Sequence, residues 1–286
     1  MTARIVEVDG INVPFFIYGT AWKKNETSRL TRLALDTGFR GIDTANQRKH
    51  YHEAAVGEAL SDAVDSGLVT REEIFLQTKF TFQAGQDDRL PYDPDAPPAE
   101  QVAQSFTSSL RNLRTDYIDS YILHGPTRRS GLQPDDWAAW RAMEALHQTG
   151  QARLIGISNI RLDQLKLLCK DANVQPSFVQ NRCYASRAWD RDIREFCADQ
   201  GIYYQGFSLL TANHKEVKHP IIKRIAKRYG KSVSQIIFRF ALDLGMIPLT
   251  GTANPDHMRI DLEVLDFELQ LNEVQLIETV HSADGL

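Results

Sequence analysis

Four residues suited to proton transfer stand at or just beyond the ends of successive apolar segments. Asp43 ends the run GFRGID, Lys79 lies in IFLQTKF, His124 follows YIL, and Tyr51 lies in the polar segment KHYHE. A barrel of parallel strands gathers the carboxyl ends of its strands at one mouth. A phenol beside an ammonium–carboxylate pair, with an imidazole opposite, can hand a proton to a carbonyl oxygen. The pattern predicts such a site if the four side chains meet.

The chemistry of these groups is complementary. A free phenol has a pKa of about 10, and the ammonium of Lys79 is expected to lower the pKa of Tyr51 by favouring the phenolate. Asp43 would keep Lys79 charged, and His124 would donate to the substrate oxygen and orient it. Taken singly, Asp43 also suits a turn or an N-cap, and His124 a structural hydrogen bond. The prediction of a proton-transfer site therefore depends on all four residues occurring together at the ends of successive strands.

Short strand-like runs alternate with helical periodicity almost from end to end, which indicates βα units and a parallel sheet. Eight runs are strand-like, the number that a closed barrel needs: FFIYGT, FRGIDT, IFLQTKF, IDSYILH, RLIGIS, FVQNRC, IYYQGFS and MIPLTGT. No Pro/Ser-rich linker divides the chain, so residues 1–286 are expected to form one domain. The predicted fold is an α/β protein, a (β/α)8 TIM barrel.

Further elements surround this repeat. The runs RIVEV and INVPFF flank Asp9-Gly10, a two-residue hairpin signal, so we expect an N-terminal β-hairpin. The stretch Thr81–Pro98 is irregular and is either a functional loop over the mouth or a solvated excursion. Helices are predicted over Thr27–Thr37, Ala99–Leu113, Asp135–Thr149 and Ser232–Leu244, the last with Ser232 as its N-cap.

Composition excludes several classes of partner. The chain has 33 Lys and Arg against 37 Asp and Glu, a net charge of −4, which gives no support to a nucleic-acid partner. The apolar runs are too short to span a membrane, and the first residues do not resemble a signal peptide. Three cysteines without CxxC spacing suit reduced thiols and no metal site. We therefore expect a cytoplasmic enzyme that acts on small molecules. The sequence does not predict its oligomeric state.

Longer motifs give this chain a family resemblance. The segments GFRGIDTA, EAAVGEAL, LQTKF, SFTSSLRNLRTDYIDSYILHGP, GQARLIGISN, VQNRCY and IPLTGT together resemble the aldo-keto reductase superfamily. The resemblance implies a barrel closed at the bottom by the hairpin. It also implies reduction of aldehydes or ketones with a nicotinamide cofactor bound without a Rossmann domain, and the absence of GxGxxG agrees with this.

The resemblance carries the catalytic set onto Asp43, Lys79 and His124 directly. The tyrosine is less direct, because the segment from Asp43 to Glu53 is longer than is usual in the family. Counting back from Glu53 gives His50, whereas Tyr51 is the one phenol in this loop. Tyr51 is therefore predicted as the proton donor, with His50 as the alternative.

The resemblance also implies a cofactor site. The nicotinamide amide would contact Ser158, Asn159 and Gln180, whose side chains supply donors and acceptors for a carboxamide. Phe207 would stack on the ring, and Ser208 and Leu210 would follow the pyrophosphate. The remaining predicted cofactor residues are Thr20, Thr250, Gly251, Thr252, His257 and Asp261.

The adenosine end departs from the family pattern. Leu249 stands where many members have Lys, and His257 and Asp261 fall near the usual Arg and Asn. Arg259 or backbone N–H groups with threonine hydroxyls are possible substitutes for the missing cations. NADP(H) is the expected cofactor, and NAD(H) or dual use is the alternative.

The expected substrate is a small carbonyl compound of unspecified identity. Trp22 is predicted as a wall of its pocket, with a packed rim residue as the alternative, and the loop after Lys79 and the C-terminal tail would complete the pocket. A cofactor-binding sensor or accessory subunit with little turnover is the rival function, favoured by the altered tyrosine loop. A barrel isomerase or hydrolase would need a phosphate site or metal cluster that the sequence does not show.

Overall fold

The chain begins with a β-hairpin in the computed structural model, which describes residues 5–281. Strand β1 (Ile5–Val8) pairs antiparallel with β2 (Ile11–Pro14). Asp9 and Gly10 both have positive φ, 48° and 77°, as the favoured two-residue hairpin turn requires. The predicted hairpin is confirmed; Arg4 of the predicted first run lies outside the described residues.

Eight parallel strands follow and close into a barrel. Their order around the barrel is β10-β3-β4-β5-β6-β7-β8-β9, so the last strand pairs with the first. The predicted (β/α)8 fold is confirmed, and all eight predicted runs form strands. They are β3 (Ile17–Gly19), β4 (Gly41–Asp43), β5 (Phe75–Phe80), β6 (Ile118–Leu123), β7 (Ala152–Ser158), β8 (Phe178–Arg182), β9 (Tyr203–Phe207) and β10 (Ile247–Thr250).

Helices cover the outside of the barrel, and the four predicted ones lie within a residue of their predicted bounds. Helix α9 begins after Ser232, whose hydroxyl accepts a hydrogen bond from the Gln235 N–H at 3.2 Å, as expected of an N-cap. The helices are α1 (Thr27–Thr37), α2 (Glu53–Asp65), α3 (Pro98–Leu113), α4 (Pro134–Gln148), α5 (Leu162–Asp171), α6 (Arg191–Asp199), α7 (His214–Val217), α8 (Pro220–Tyr229), α9 (Val233–Asp243), α10 (Pro255–Leu262) and α11 (Leu271–Glu278).

Two apolar cores hold these layers together. The larger lies between the strands and the helices. The smaller fills the lower barrel, where Val8 and Val13 of the hairpin pack with Ile17, Phe75 and Phe178. Burying such side chains stabilises the fold by roughly 1.5–3 kcal/mol each. The hairpin thus closes the amino-terminal end of the barrel, and the carboxyl end is the open one.

The interior changes character towards the open end. Side chains of Gln77, Gln180 and Gln205 are fully or almost fully buried and bond to one another, with Nε2–Oε1 distances of 2.8–3.0 Å. Ser120 adds a hydroxyl that donates to Gln77 at 2.8 Å. Buried amides are stable here because each finds partners. This layer forms a polar floor beneath the mouth.

Within residues 5–281, no helix combines the length and the apolarity that crossing a membrane requires.

Candidate active site

A cavity of about 880 Å³ opens at the carboxyl ends of the strands. It contains most of the residues predicted from sequence: Trp22, Asp43, Tyr51, His124, Ser158, Asn159, Gln180, Phe207, Ser208, Leu210, Thr250, Gly251, Thr252, His257 and Asp261. Lys79 and Thr20 are fully buried and do not line it. Both contact Asp43, since Lys79 pairs with its carboxylate and the Thr20 hydroxyl donates to its carbonyl at 3.0 Å.

Lys79 and Asp43 form a buried ion pair in the cavity floor. Lys79 Nζ lies 2.5 Å from Asp43 Oδ1 and donates to the carbonyl of Thr44 at 2.7 Å. The same Oδ1 accepts from Nε2 of Gln77 at 2.7 Å and of Gln180 at 3.0 Å. Burial lowers the pKa of Lys79, and the Asp43 carboxylate opposes this. A buried ammonium is tolerable only with such partners.

Tyr51 lies between this pair and His124. Lys79 Nζ is 5.3 Å from the centre of the Tyr51 ring, and the ring centres of Tyr51 and His124 are 6.0 Å apart. Burial and the Asp43 carboxylate raise the pKa of Tyr51, while Arg182 opposes the rise. The expected lowering of the Tyr51 pKa is therefore wrong, because burial, with a smaller contribution from the Asp43 carboxylate, outweighs the stabilisation of the phenolate by nearby cations. The phenol consequently keeps its proton at neutral pH.

His50, the alternative to Tyr51, occupies the rim. Its ring lies 4.0 Å from the Trp22 ring, and its Nδ1 is 2.8 Å from Gln47 Oε1. Trp22 lines the cavity and is 64% exposed, which favours a residue of the pocket wall over a packed rim residue. Tyr51, not His50, therefore stands beside Lys79 and His124.

His124 is held as a neutral ring. Its Nδ1 lies 2.6 Å from the hydroxyl of Thr81, and burial lowers its pKa to about 3. When Nδ1 accepts from that hydroxyl, the ring proton resides on Nε2. The carbonyl of His124 accepts from Asn159 Nδ2 at 2.8 Å, which fixes the segment to β7. His124 is thus a neutral donor beside Tyr51.

The nicotinamide subsite predicted from sequence is a cluster of amide and hydroxyl groups. Ser158 Oγ donates to the Gln180 carbonyl at 2.5 Å and accepts from Asn159 Nδ2 at 3.1 Å. Asn159 and Ser208 adopt left-handed backbone conformations, with φ of 53° and 58°. Phe207, at the end of β9, lines the same part of the cavity. An aromatic face beside amide and hydroxyl groups fits a ring that bears a carboxamide.

The predicted adenosine end of the cavity contains a cation that was not identified from the sequence. Lys23 lines the cavity, donates from Nζ to the carbonyl of Gly251 and lies 6.0 Å from the centre of the Tyr18 ring. Arg259 instead pairs with Glu263 at 2.6 Å and does not line the cavity. Lys23 directly follows Trp22 in the loop after β3, and its place beyond the carboxyl end of a barrel strand was the available signal.

A buried carboxyl group also lies at the adenosine end. Asp261 accepts from the Thr250 hydroxyl at 2.9 Å, and burial raises its pKa to about 6. It is therefore mostly ionised at neutral pH but becomes neutral in mild acid.

The loop after β5 contributes its first residues only. Thr81, Phe82, Ala84 and Gly85 line the cavity, whereas Tyr92 turns back and donates to the Thr81 carbonyl at 2.8 Å. No described residue beyond Asp261 lines the cavity, and residues 282–286 of the predicted tail wall lie outside the described part of the chain. Sequence reasoning also missed Gln47, Thr127, Arg182 and Ser234.

Among residues 5–281, no group of three or more His, Cys, Asp or Glu side chains is arranged to hold a metal ion. The polar groups at the mouth are hydroxyls, amides, a neutral imidazole and a protonated phenol. Such a set suits hydrogen bonding to a carbonyl oxygen and proton delivery to it.

A closed barrel with this set at its mouth defines a carbonyl oxidoreductase. A model of the aldo/keto reductase family matches residues 15–282, and the chain belongs to that family. Nicotinamide-dependent reduction of carbonyl compounds, the activity expected from the sequence, is thereby confirmed.

Relatives extend over most of the chain. It is similar to an uncharacterized oxidoreductase, YtbE, of Bacillus subtilis, with 29% identity over 98% of this chain and 94% of the relative. It is also similar to glyoxal reductase of the same organism, with 28% identity over 96% and 91%. An aldo-keto reductase of Bombyx mori, solved in complex with NADP, has a TM-score of 0.83 and 26% identity, covering 98% of this chain and 93% of the relative.

Proposed function

We propose that this enzyme reduces small aldehydes or ketones with Tyr51 as the proton donor. The observation that supports the proposal is the proximity of Tyr51, Lys79 and His124, which come from separate segments: Tyr51 and His124 line the cavity, and Lys79 is buried beside Tyr51. The raised pKa of Tyr51 keeps the donor loaded with its proton at neutral pH.

The protein groups divide the work between them. Nε2–H of His124 donates to the substrate carbonyl oxygen and orients it against the phenol. Tyr51 gives its proton to that oxygen as negative charge develops on it. The positive charge of Lys79 stabilises the phenolate left behind, and Asp43 holds Lys79 in position. When bound, the nicotinamide ring supplies the hydride.

We propose NADP(H) as the cofactor. Ser158, Asn159 and Gln180 would hold the carboxamide, and Phe207 would pack on the ring. Lys23 supplies a cation beside Gly251, where the family resemblance places the adenosine phosphate. The B. mori relative binds NADP, which supports the same choice. Use of NAD(H) remains the alternative, because Leu249 replaces the usual lysine.

We infer a cytoplasmic enzyme without a nucleic-acid partner. Cys169, Cys183 and Cys197 are all free thiols, as a reducing compartment favours. The net charge of −4 gives a polyanion no general attraction.

The rival function, a cofactor-binding sensor, rested on the lengthened segment before Glu53. Because Tyr51 lies beside Lys79 and His124 despite that length, the segment no longer favours a sensor. Titration of intrinsic Trp fluorescence with NADPH and NADH, followed by cofactor oxidation with an aldehyde panel, tests the choice. We expect tight NADPH binding and turnover. Tight binding without turnover of any aldehyde would point to the sensor.

A further inference from the structure

Arg182 places an unassigned positive charge at the mouth of the barrel. It is the last residue of β8, two positions after Gln180, so both side chains point to the inner face of the strand. Its exposed side chain lines the cavity together with Tyr51 and His124. Its guanidinium carbon lies 5.6 Å from the centre of the Phe207 ring, the residue opposite in the β8–β9 register.

No carboxylate among residues 5–281 pairs with this guanidinium. Arginines of the following helix α6 are paired instead: Arg191 and Arg194 both contact Glu278, at 2.8 and 2.6 Å. The two carboxyl groups that line the cavity are engaged elsewhere, since Asp43 pairs with Lys79 and Asp261 accepts from Thr250. Arg182 thus presents its charge to whatever fills the cavity.

The charge of Arg182 also reaches the reacting end. It acts on the Tyr51 phenol, where it opposes the rise in pKa that burial causes. Stacking over Phe207 restrains the side chain without using its N–H groups. A restrained guanidinium with free donors is suited to binding a carboxylate through two parallel hydrogen bonds.

We propose that Arg182 binds a carboxylate of the carbonyl substrate, so that the enzyme prefers aldehyde acids and oxo acids to neutral carbonyl compounds. The inference rests on the proposed function, because the reacting carbonyl must lie at Tyr51 and His124. Trp22 and Phe82 give the cavity apolar surface for the carbon skeleton between the two polar ends. The pyrophosphate of the cofactor is the other anion that could meet Arg182, and the experiment separates the two.

The test compares 4-carboxybenzaldehyde with methyl 4-formylbenzoate, which share a skeleton and differ in charge. Steady-state kinetics are measured for the wild type, Arg182→Met and Arg187→Met. Arg187 is a matched control, because it lies over the Tyr184 ring at 5.2 Å outside the cavity. For the wild type we expect a kcat/KM at least tenfold higher for the acid than for the ester.

Arg182→Met is expected to lower kcat/KM for the acid about tenfold to a hundredfold, mainly through KM, as loss of a charged hydrogen-bond pair would do. Any change in the ester kinetics, through the effect of Arg182 on Tyr51, should be smaller, so that the acid-to-ester ratio of kcat/KM falls about tenfold or more, and the Kd for NADPH should stay within about twofold of wild type. Should the variant not fold, inhibition of the wild type by benzoate but not by benzamide, competitive with aldehyde, gives the same support.

Equal loss with acid and ester would overturn the inference, as would weakened NADPH binding with an unchanged acid-to-ester ratio. Inhibition by benzamide as strong as that by benzoate would do the same. These results differ from failure of the proposed function, in which the wild type turns over neither aldehyde.

Discussion

The Tyr51 ring meets the His124 imidazole edge-on, with ring centres 6.0 Å apart and planes inclined by 68°. Tyr51 belongs to the segment after β4 and His124 follows β6, so strand pairing through β5 sets their separation. Lys79 of β5 lies with its Nζ 5.3 Å from the centre of the Tyr51 ring. The Tyr51 and His124 rings both line the same cavity, as the proposed proton delivery to one carbonyl oxygen requires.

Replacing Tyr51 with Phe removes the proton donor and leaves the ring in place. We expect kcat for aldehydes to fall by roughly 10²–10⁴-fold, the usual contribution of general acid catalysis, with the Kd for NADPH unchanged. Steady-state kinetics and fluorescence titration measure the two quantities. Tyr184→Phe, which removes a hydroxyl outside the cavity, is the control. Full activity of Tyr51→Phe would assign the proton to another group.

Thr81 is predicted to position His124 through its hydroxyl, which lies 2.6 Å from Nδ1. Thr81→Val keeps the shape and removes this bond, so the neutral ring loses the partner that keeps its proton on Nε2. We expect kcat to fall about tenfold, the effect of one hydrogen bond, while Thr81→Ser restores it. If Ser were as impaired as Val, the side-chain methyl group rather than the hydroxyl would matter.

Lys79→Met is expected to destabilise the protein, because it leaves the Asp43 carboxylate buried without a counter-charge. Breaking a buried pair costs about 3–5 kcal/mol, somewhat less here since Gln77 and Gln180 still donate to Asp43. Urea unfolding measures the loss. Adding Asp43→Asn should recover part of the stability without recovering activity, and no recovery would argue against the ion pair as the cause.

Lys23→Met should weaken NADPH more than NADH, since its ammonium lies at the adenosine end of the cavity. Losing one charged contact to phosphate corresponds to roughly a tenfold to hundredfold increase in Kd. The neighbouring exposed Lys24, which does not line the cavity, supplies the control variant Lys24→Met. Equal weakening of both cofactors would place Lys23 at the pyrophosphate they share.

Asp261 gives a pH dependence of stability with a defined sign. Its pKa is about 6 in the folded protein against an ordinary value of 3.8, so between these values the folded state binds the extra proton. Stability attributable to Asp261 therefore decreases as pH rises from 4 to 6. Urea unfolding at pH 4.5 and 6.5 should show a smaller decrease for Asp261→Asn than for the wild type. Identical decreases would exclude Asp261 as the source.

The fold was largely predictable from sequence because local signals agreed with each other. Eight apolar runs were separated by periodic helices, and Asp9-Gly10 supplied the turn of the hairpin. The same alternation placed Asp43, Lys79 and His124 at one end of the barrel. Whether a residue lies at the end of a strand can be predicted directly from its position at the end of an apolar run.

Contacts between distant segments were not predictable in the same way. The raised pKa of Tyr51 comes chiefly from its burial, with a smaller contribution from Asp43, and that burial is set by how distant segments pack together. Apart from its place after β3, Lys23 had no special signal in the sequence. Its contact with Gly251 depends on the pairing of β3 with β10, which brings the two segments together. Arg182 is the last residue of its strand, and the sequence does not indicate whether a carboxylate pairs with it.

The valine-rich hairpin closes one end of the barrel and leaves it open at the carboxyl ends of the strands. Val8 and Val13 close the amino-terminal end of the barrel. Cofactor and substrate must therefore both enter and leave through the opening at the carboxyl ends of the strands. The exposed Trp22 lines the same cavity as the proposed nicotinamide subsite at Ser158, Asn159 and Gln180. We therefore expect ordered binding, in which the nicotinamide cofactor enters before the carbonyl compound and leaves after the alcohol.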